Sequence, residues 1–215
     1  GGDWQRLLRD DVSTDEIAPL PAMVHFEATL GRHAYTGLET GGEHPIERDA
    51  VRRSGVEVVV AGRRYGKGSS REHSVVAELS AGVRLVIAPS FERIYRQNAD
   101  NLGLFTSTDL GLAARIDSGE PIALDELLAG RDALAAAILR RGGLLRYGRA
   151  RFGSPRPPTR VDAAGTAAAS IPSAPQTLFH KIVARHLIDA GALAPGEGGF
   201  VRPDLRFIHE YYTGM

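Results

Sequence analysis

Between Val56 and Ala88 the chain reads as a strand, a glycine-rich loop, a helix and a second strand, and no other run restricts its possible folds as much. Val56–Ala61 (VEVVVA) is a short β-branched apolar run of the kind buried on both faces of a sheet. Gly62–Gly68 is the loop, Ser69–Ser80 has helical character, and Gly82 stands where a helix-ending glycine belongs. Val83–Ala88 (VRLVIA) is the second strand, and Ser90–Leu102 is a second helix stopped by Gly103. Alternation at this spacing predicts a βαβ unit with parallel strands, and therefore an α/β fold.

The rest of the chain divides around this unit. Asp125–Leu128 and Asp132–Arg140 read as further helix, with Gly142-Gly143 as the stop, so residues 1–150 form one domain. The stretch 151–176 carries five prolines among Ala, Ser, Gly and Thr and has few large apolar residues, which makes it a linker. Beyond it, Thr177–Ala190 is an amphipathic helix with Phe179, Ile182, Val183, His186 and Leu187 on one side, followed by a strand at Phe200–Arg202. A helix and a strand are too little for a domain, so 177–215 reads as the beginning of something larger or as an arm packed on another chain.

Composition excludes several classes. With 26 basic and 26 acidic side chains the net charge is zero, which argues against nucleic acid or an anionic membrane as partner. No apolar run reaches the roughly 20 residues of a membrane helix, so a soluble, cytoplasmic protein is expected. There is no cysteine, hence no disulfide, thiolate nucleophile or Cys-ligated metal held by this chain. Histidines 25, 33 and 44 show no metal-ligand spacing and read as scattered surface residues, so no metal site is expected. Seven arginines and no acid fall between Arg140 and Arg160, which suits a solvated linker flank or an anion-binding patch.

The densest chemical signal is Gly66-Lys67-Gly68-Ser69-Ser70-Arg71-Glu72-His73, placed between a strand and a helix. A helix start offers unpaired N–H groups and the positive end of the helix dipole, glycines admit a close ligand, and arginine forks onto carboxylates. Ser69-x-x-Glu72 also fits a capping box, in which case Ser69 merely caps the helix and Arg71 is a solvated first-turn residue. Nucleotide loops are poorly matched: Ala61 replaces the first Walker glycine and Gly68 the Ser or Thr, and Arg71 stands where the third glycine of G-x-G-x-x-G belongs.

Three separated motifs in order carry a family resemblance. Asp11–Pro19, Gly68–His73 and Gly82–Phe91 with Ile94–Asn98 resemble the swivel domain of the aconitase superfamily, which forms the small subunit of 3-isopropylmalate dehydratases. Gln176–Leu187 and Val201–Met215 are similar to the opening of the family's catalytic large part, giving the swivel-first order of aconitase B-type members. The resemblance implies a swivelling β/β/α domain with a short helix-strand extension. It implies a hydro-lyase or isomerase that dehydrates and rehydrates a hydroxy di- or tricarboxylic acid. A 4Fe–4S cluster is implied in the complete enzyme, held by catalytic domains in the same full-length chain or in a separate large subunit, so this chain alone would be inactive. By position in the motifs, Ser69 matches the catalytic base, Asp15 an active-site aspartate, and Arg71 the substrate-carboxylate grip, with the Ser70 amide beside it. His209 matches a substrate contact. The competing expectation is a stand-alone swivel module, without catalysis, that binds a small anion or a partner protein.

Overall fold

The computed structural model describes residues 4–25, 27–68, 71–153, 177–188, 193 and 197–204. Its centre is a three-stranded parallel sheet, β1 (Val58–Val60), β2 (Leu85–Ile87) and β3 (Phe105–Ser107), in that order. Val59 stands beside Val86, which stands beside Thr106. The expected βαβ unit is present twice, through α4 (Glu72–Ala81) between β1 and β2 and α5 (Arg93–Leu102) between β2 and β3.

Both faces of the sheet are covered, as side chains alternating along such short strands require. Val59 and Val86 join the main core with Val75, Ala77, Ala81, Tyr95 and Ala99 of α4 and α5. Val58, Val60, Leu85, Ile87 and Phe105 face a second cluster formed by α6 (Gly111–Asp117) and α7 (Leu124–Leu127). The N-terminal third wraps the main core in short pieces: α1 (Thr14–Ile17), a 3-10 turn at Leu20–Val24, α2 (Glu27–Leu30) and α3 (Ala50–Ser54). Of these, α2 lies on α4.

Several boundaries differ from those expected. Both strands are trimmed to three residues, and β3 has no counterpart in the expectation. The helix expected from Ser69 begins at Glu72, because Arg71 is extended (φ −92°, ψ 133°). The box Ser69-x-x-Glu72 is therefore not a helix cap: the N-cap position belongs to Arg71, whose side chain makes no capping bond. The helix expected from Ser90 begins at Arg93. After α8 (Ala133–Arg140), Gly142-Gly143 are a joint rather than a stop, since α9 (Leu144–Phe152) follows at once and carries Arg146, Arg149 and Arg151.

Beyond the proposed linker, α10 (Leu178–His186) is capped by Thr177, whose hydroxyl accepts the His180 N–H at 3.2 Å. Leu187 pairs antiparallel with Val201, and the Phe200 ring meets Tyr147 and Phe152 of α9. His25 and His33 are not scattered: their rings stack, with centroids 5.4 Å apart. None of the helices among the described residues is long and apolar enough to cross a membrane.

Candidate active site

Past the end of β1 the chain bends, with Arg64 and Gly66 at φ +57° and +80°, and is held on both sides. On one flank, the Gly62 N–H donates to the Arg9 carbonyl, Asp11 to Arg63, Gly66 to Val12, and Thr14 to Lys67, all at 2.8–2.9 Å. On the other, Tyr65 donates to the Ser90 carbonyl at 3.0 Å and Glu92 to the Tyr65 carbonyl at 2.8 Å. The loop is thus a central ribbon between residues 9–14 and 90–92, with parallel bridges at Ser13/Lys67 and Tyr65/Phe91. Gly66 is required where it stands. Its φ is +80°, and a Cβ there would lie 2.2 Å from Cγ of Tyr95.

The same ribbon delivers α1. Ser13 caps it with a true capping box: the Ser13 hydroxyl accepts the Glu16 N–H at 3.1 Å, and the Glu16 carboxylate accepts the Ser13 N–H at 2.7 Å. Thr14 and Ile17 are buried, so Asp15 in the first turn points outward, its side chain 62% exposed. From the other end of the glycine loop, Arg71 donates from Nη1 to Asp15 Oδ1 at 2.9 Å and lies 3.2 Å from the Met23 sulfur. Two residues 56 positions apart are therefore joined at one edge of the loop. Gly68 faces the same edge, since a Cβ there would stand 3.5 Å from the Thr14 hydroxyl. Lys67 and Arg64 add positive charge, both paired with Asp11.

Of the residues expected to form a site, Asp15 and Arg71 come together. Ser69, Ser70 and His209 lie outside the described residues; the sequence neighbours of the two serines, Gly68 and Arg71, both border the Asp15 turn. A cavity of about 400 Å³ opens against Gly66 and Gly68 and is closed by Glu92, Arg93, Tyr95 and Gln97 at the start of α5.

Beneath this edge is a feature that sequence reasoning missed. Glu78 of α4 is fully buried and meets three buried tyrosines. Tyr35 and Tyr65 hydroxyls lie 2.6 and 2.7 Å from Oε1, the Tyr95 hydroxyl lies 2.6 Å from Oε2, and Tyr35 and Tyr65 are 2.6 Å from each other. Burial pushes the Glu78 carboxyl above its usual range, against the pull of the three hydroxyls, and pushes all three phenols up. The available signal was Glu78, an acid flanked by Val75, Val76, Ala77 and Leu79.

Among the described residues no group of three His, Cys, Asp or Glu side chains could hold a metal. The whole chain has no cysteine, so its residues do not fit as ligands of a 4Fe–4S cluster.

Comparison with known proteins bears on the same region. Residues 31–108 match the family model of the aconitase C-terminal domain. The 3-isopropylmalate dehydratase small subunit of Pyrobaculum calidifontis is 34% identical over 153 residues, 64% of this chain and 90% of that protein. The small subunit of Desulfovibrio desulfuricans is 35% identical over 153 residues, covering 64% and 88%. Among solved structures, a 3-isopropylmalate dehydratase from Methanocaldococcus jannaschii shares 30% identity, with a TM-score of 0.47 over 66% of this chain and 89% of that one.

Proposed function

This chain belongs to the family of 3-isopropylmalate dehydratase small subunits, the aconitase-type swivel domains, and from that premise we propose that it supplies the proton-handling and carboxylate-binding side of a hydro-lyase site. The substrate is a hydroxy di- or tricarboxylic acid such as isopropylmalate, citrate or an analogue. Water is removed across two neighbouring carbons and returned with the hydroxyl shifted. A cluster-bearing catalytic partner completes the site, either as a separate large subunit or as further domains of the same chain, the opening of which is 177–215. Any cluster is ligated by that partner.

The observation that carries this reading is the Asp15–Arg71 pair at the edge of the glycine loop. Arg71 holds a substrate carboxylate with its planar fork of donors, while Asp15 keeps the guanidinium aimed at the loop edge. Ser69, as alkoxide, takes the proton from the carbon beside the hydroxyl-bearing carbon, the C–H electrons become the new double bond, and the hydroxyl leaves as hydroxide, which becomes water by taking that proton back from the Ser69 hydroxyl and so restores the alkoxide. A serine hydroxyl is far too weak a base unaided; the Ser70 amide, Arg71 and the nearby start of α4 lower the cost of its alkoxide. His209 contacts the bound acid.

The test is reconstitution. The chain, mixed or co-expressed with a cluster-bearing large subunit of the family, is assayed for dehydration of 2-isopropylmalate and citrate. Turnover that needs both components supports the reading. Equal turnover by the chain alone, or by the large subunit alone, overturns it.

A further inference from the structure

The Glu78 cluster contains more contacts than its hydroxyls can fill if the carboxyl is ionised. Four O···O contacts of 2.6–2.7 Å join Tyr35, Tyr65, Tyr95 and the two carboxyl oxygens. A hydrogen bond of that length needs one proton between its oxygens. The three phenols bring three. The fourth must come from the carboxyl, and the ring of Oε1, Tyr35 and Tyr65 then closes in either sense. Glu78 donates from Oε1 to one of the two hydroxyls, that hydroxyl donates to the other, the other returns its proton to Oε1, and Tyr95 donates to Oε2. Among the described residues, the hydrogen-bond partners of the Glu78 carboxyl are the three hydroxyls, none of them a cation.

The tyrosines come from three segments that bound the candidate site. Tyr65 belongs to the ribbon itself and directly precedes Gly66. The Tyr95 ring is the floor on which Gly66 rests. Tyr35 donates its backbone N–H to the Ile17 carbonyl at 2.7 Å and so ends the turn that carries Asp15. Glu78 lies in the helix that starts one residue after Arg71.

We propose that Glu78 is a positioning residue, a neutral carboxyl that closes a four-proton ring with Tyr35, Tyr65 and Tyr95 and thereby sets the Asp15 turn and the Gly66–Arg71 edge against each other. It touches no substrate. The proposal gains its catalytic meaning from the hydro-lyase reading above, but its physical content is testable without turnover.

Two measurements on the full chain and one on the assembled enzyme test it. Infrared difference spectra between wild type and Glu78→Gln at neutral pH show the carbonyl stretch of one protonated carboxyl; a carboxylate pair of bands in its place overturns the neutral assignment. Amide exchange of Gly66 and Lys67, both bonded to Val12, speeds up by about tenfold or more in Tyr95→Phe and Glu78→Ala, as expected for loss of a buried hydrogen bond. The Ala88 amide, bonded to Ser107 across the sheet, is the control and stays slow. Glu78→Gln, neutral but with no atom that can both donate and accept, falls between wild type and Glu78→Ala at Gly66 and Lys67 and leaves Ala88 slow. Uniform acceleration, including Ala88, would reduce the cluster to a general stabiliser, and unchanged Gly66 and Lys67 in Tyr95→Phe would remove the positioning role. With the catalytic partner, kcat falls in Tyr95→Phe and falls less in Glu78→Gln than in Glu78→Ala. If the assembled enzyme has no hydro-lyase activity, the exchange and infrared results still decide the positioning claim.

Discussion

Asp15 Oδ1 accepts a hydrogen bond from Arg71 Nη1 at 2.9 Å, yet 62% of the Asp15 side chain and 30% of that of Arg71 remain open to solvent. An ion pair this exposed adds little to stability, because water and salt screen both partners. It is well placed for exchange: an incoming carboxylate can take the free donors of Arg71 without either charge being stranded in the core.

Asp15→Asn and Arg71→Lys should therefore separate stability from function. Denaturant midpoints are expected to move by less than about 1 kcal/mol equivalent. Turnover of the reconstituted enzyme should fall about a hundredfold in each, with the larger KM rise in Arg71→Lys, where the bidentate fork is lost. A stability loss that matches the activity loss would make the pair structural.

Ser69→Ala removes the proposed base and leaves the arginine and the loop backbone in place. Turnover should drop by about a thousandfold or more while the KM for the hydroxy acid changes little. Near-normal turnover would take Ser69 out of the base role.

Gly66→Ala places a methyl group into the Tyr95 ring and asks an L-residue to hold φ near +80°. The expected cost is about 2–4 kcal/mol, read as a lowered melting temperature of the full chain. Gly55→Ala, also at positive φ but with open space around its Cβ position, bears only the backbone cost and should lose about 1 kcal/mol.

His186 is the pH-sensitive tie of the C-terminal extension. Its Nδ1 lies 2.6 Å from the Ile182 carbonyl and its Nε2 lies 2.7 Å from Asp204, and together these raise its pKa above 6.5, the backbone contact more than the carboxylate. A raised folded-state pKa means the stabilisation is complete below pH 6.5 and is lost as pH climbs through the folded value. Exchange of the Arg202 amide, which donates to the His186 carbonyl, should accelerate across that window. Asp204→Asn should shift the midpoint down; a flat profile would exclude the tie.

The parts of the fold legible in the sequence were those with dense local signals. The β1 and β2 runs are β-branched and uninterrupted, and Gly82 and Gly103 end α4 and α5 at φ +110° and +88°. β3 was hidden because Phe105-Thr106-Ser107 is too short and polar to carry a period, and its strand character comes from pairing with Leu85–Ile87. α9 was hidden behind two glycines and an arginine-rich composition that look like a linker. The Ser-x-x-Glu pattern occurs at both Ser13 and Ser69; the first closes a capping box, whereas Glu72 of the second is the first residue of α4 and not its third. Local chemistry cannot distinguish them, since the second is decided by Arg71 reaching in an extended conformation toward Asp15. Family resemblance singled out Asp15 and Arg71 as site residues, but only the structure pairs them. The Glu78 ring required knowing that residues 35, 65, 78 and 95 meet, which is a property of the topology alone.

The ribbon from Gly62 to Lys67 is hydrogen-bonded along both edges, and this makes its length a matter of phase. One residue added or removed there would displace Tyr65 from the core and Gly66 from its place against the Tyr95 ring. It would also break the register with Ser13 and Phe91 together, so neither edge could be kept by sacrificing the other. The Thr40–Glu43 turn, whose backbone bridge joins its own two ends and whose glycines have open space around them, has no such constraint. Chains built on this plan can therefore change length at that turn, whereas the ribbon must keep a fixed residue count.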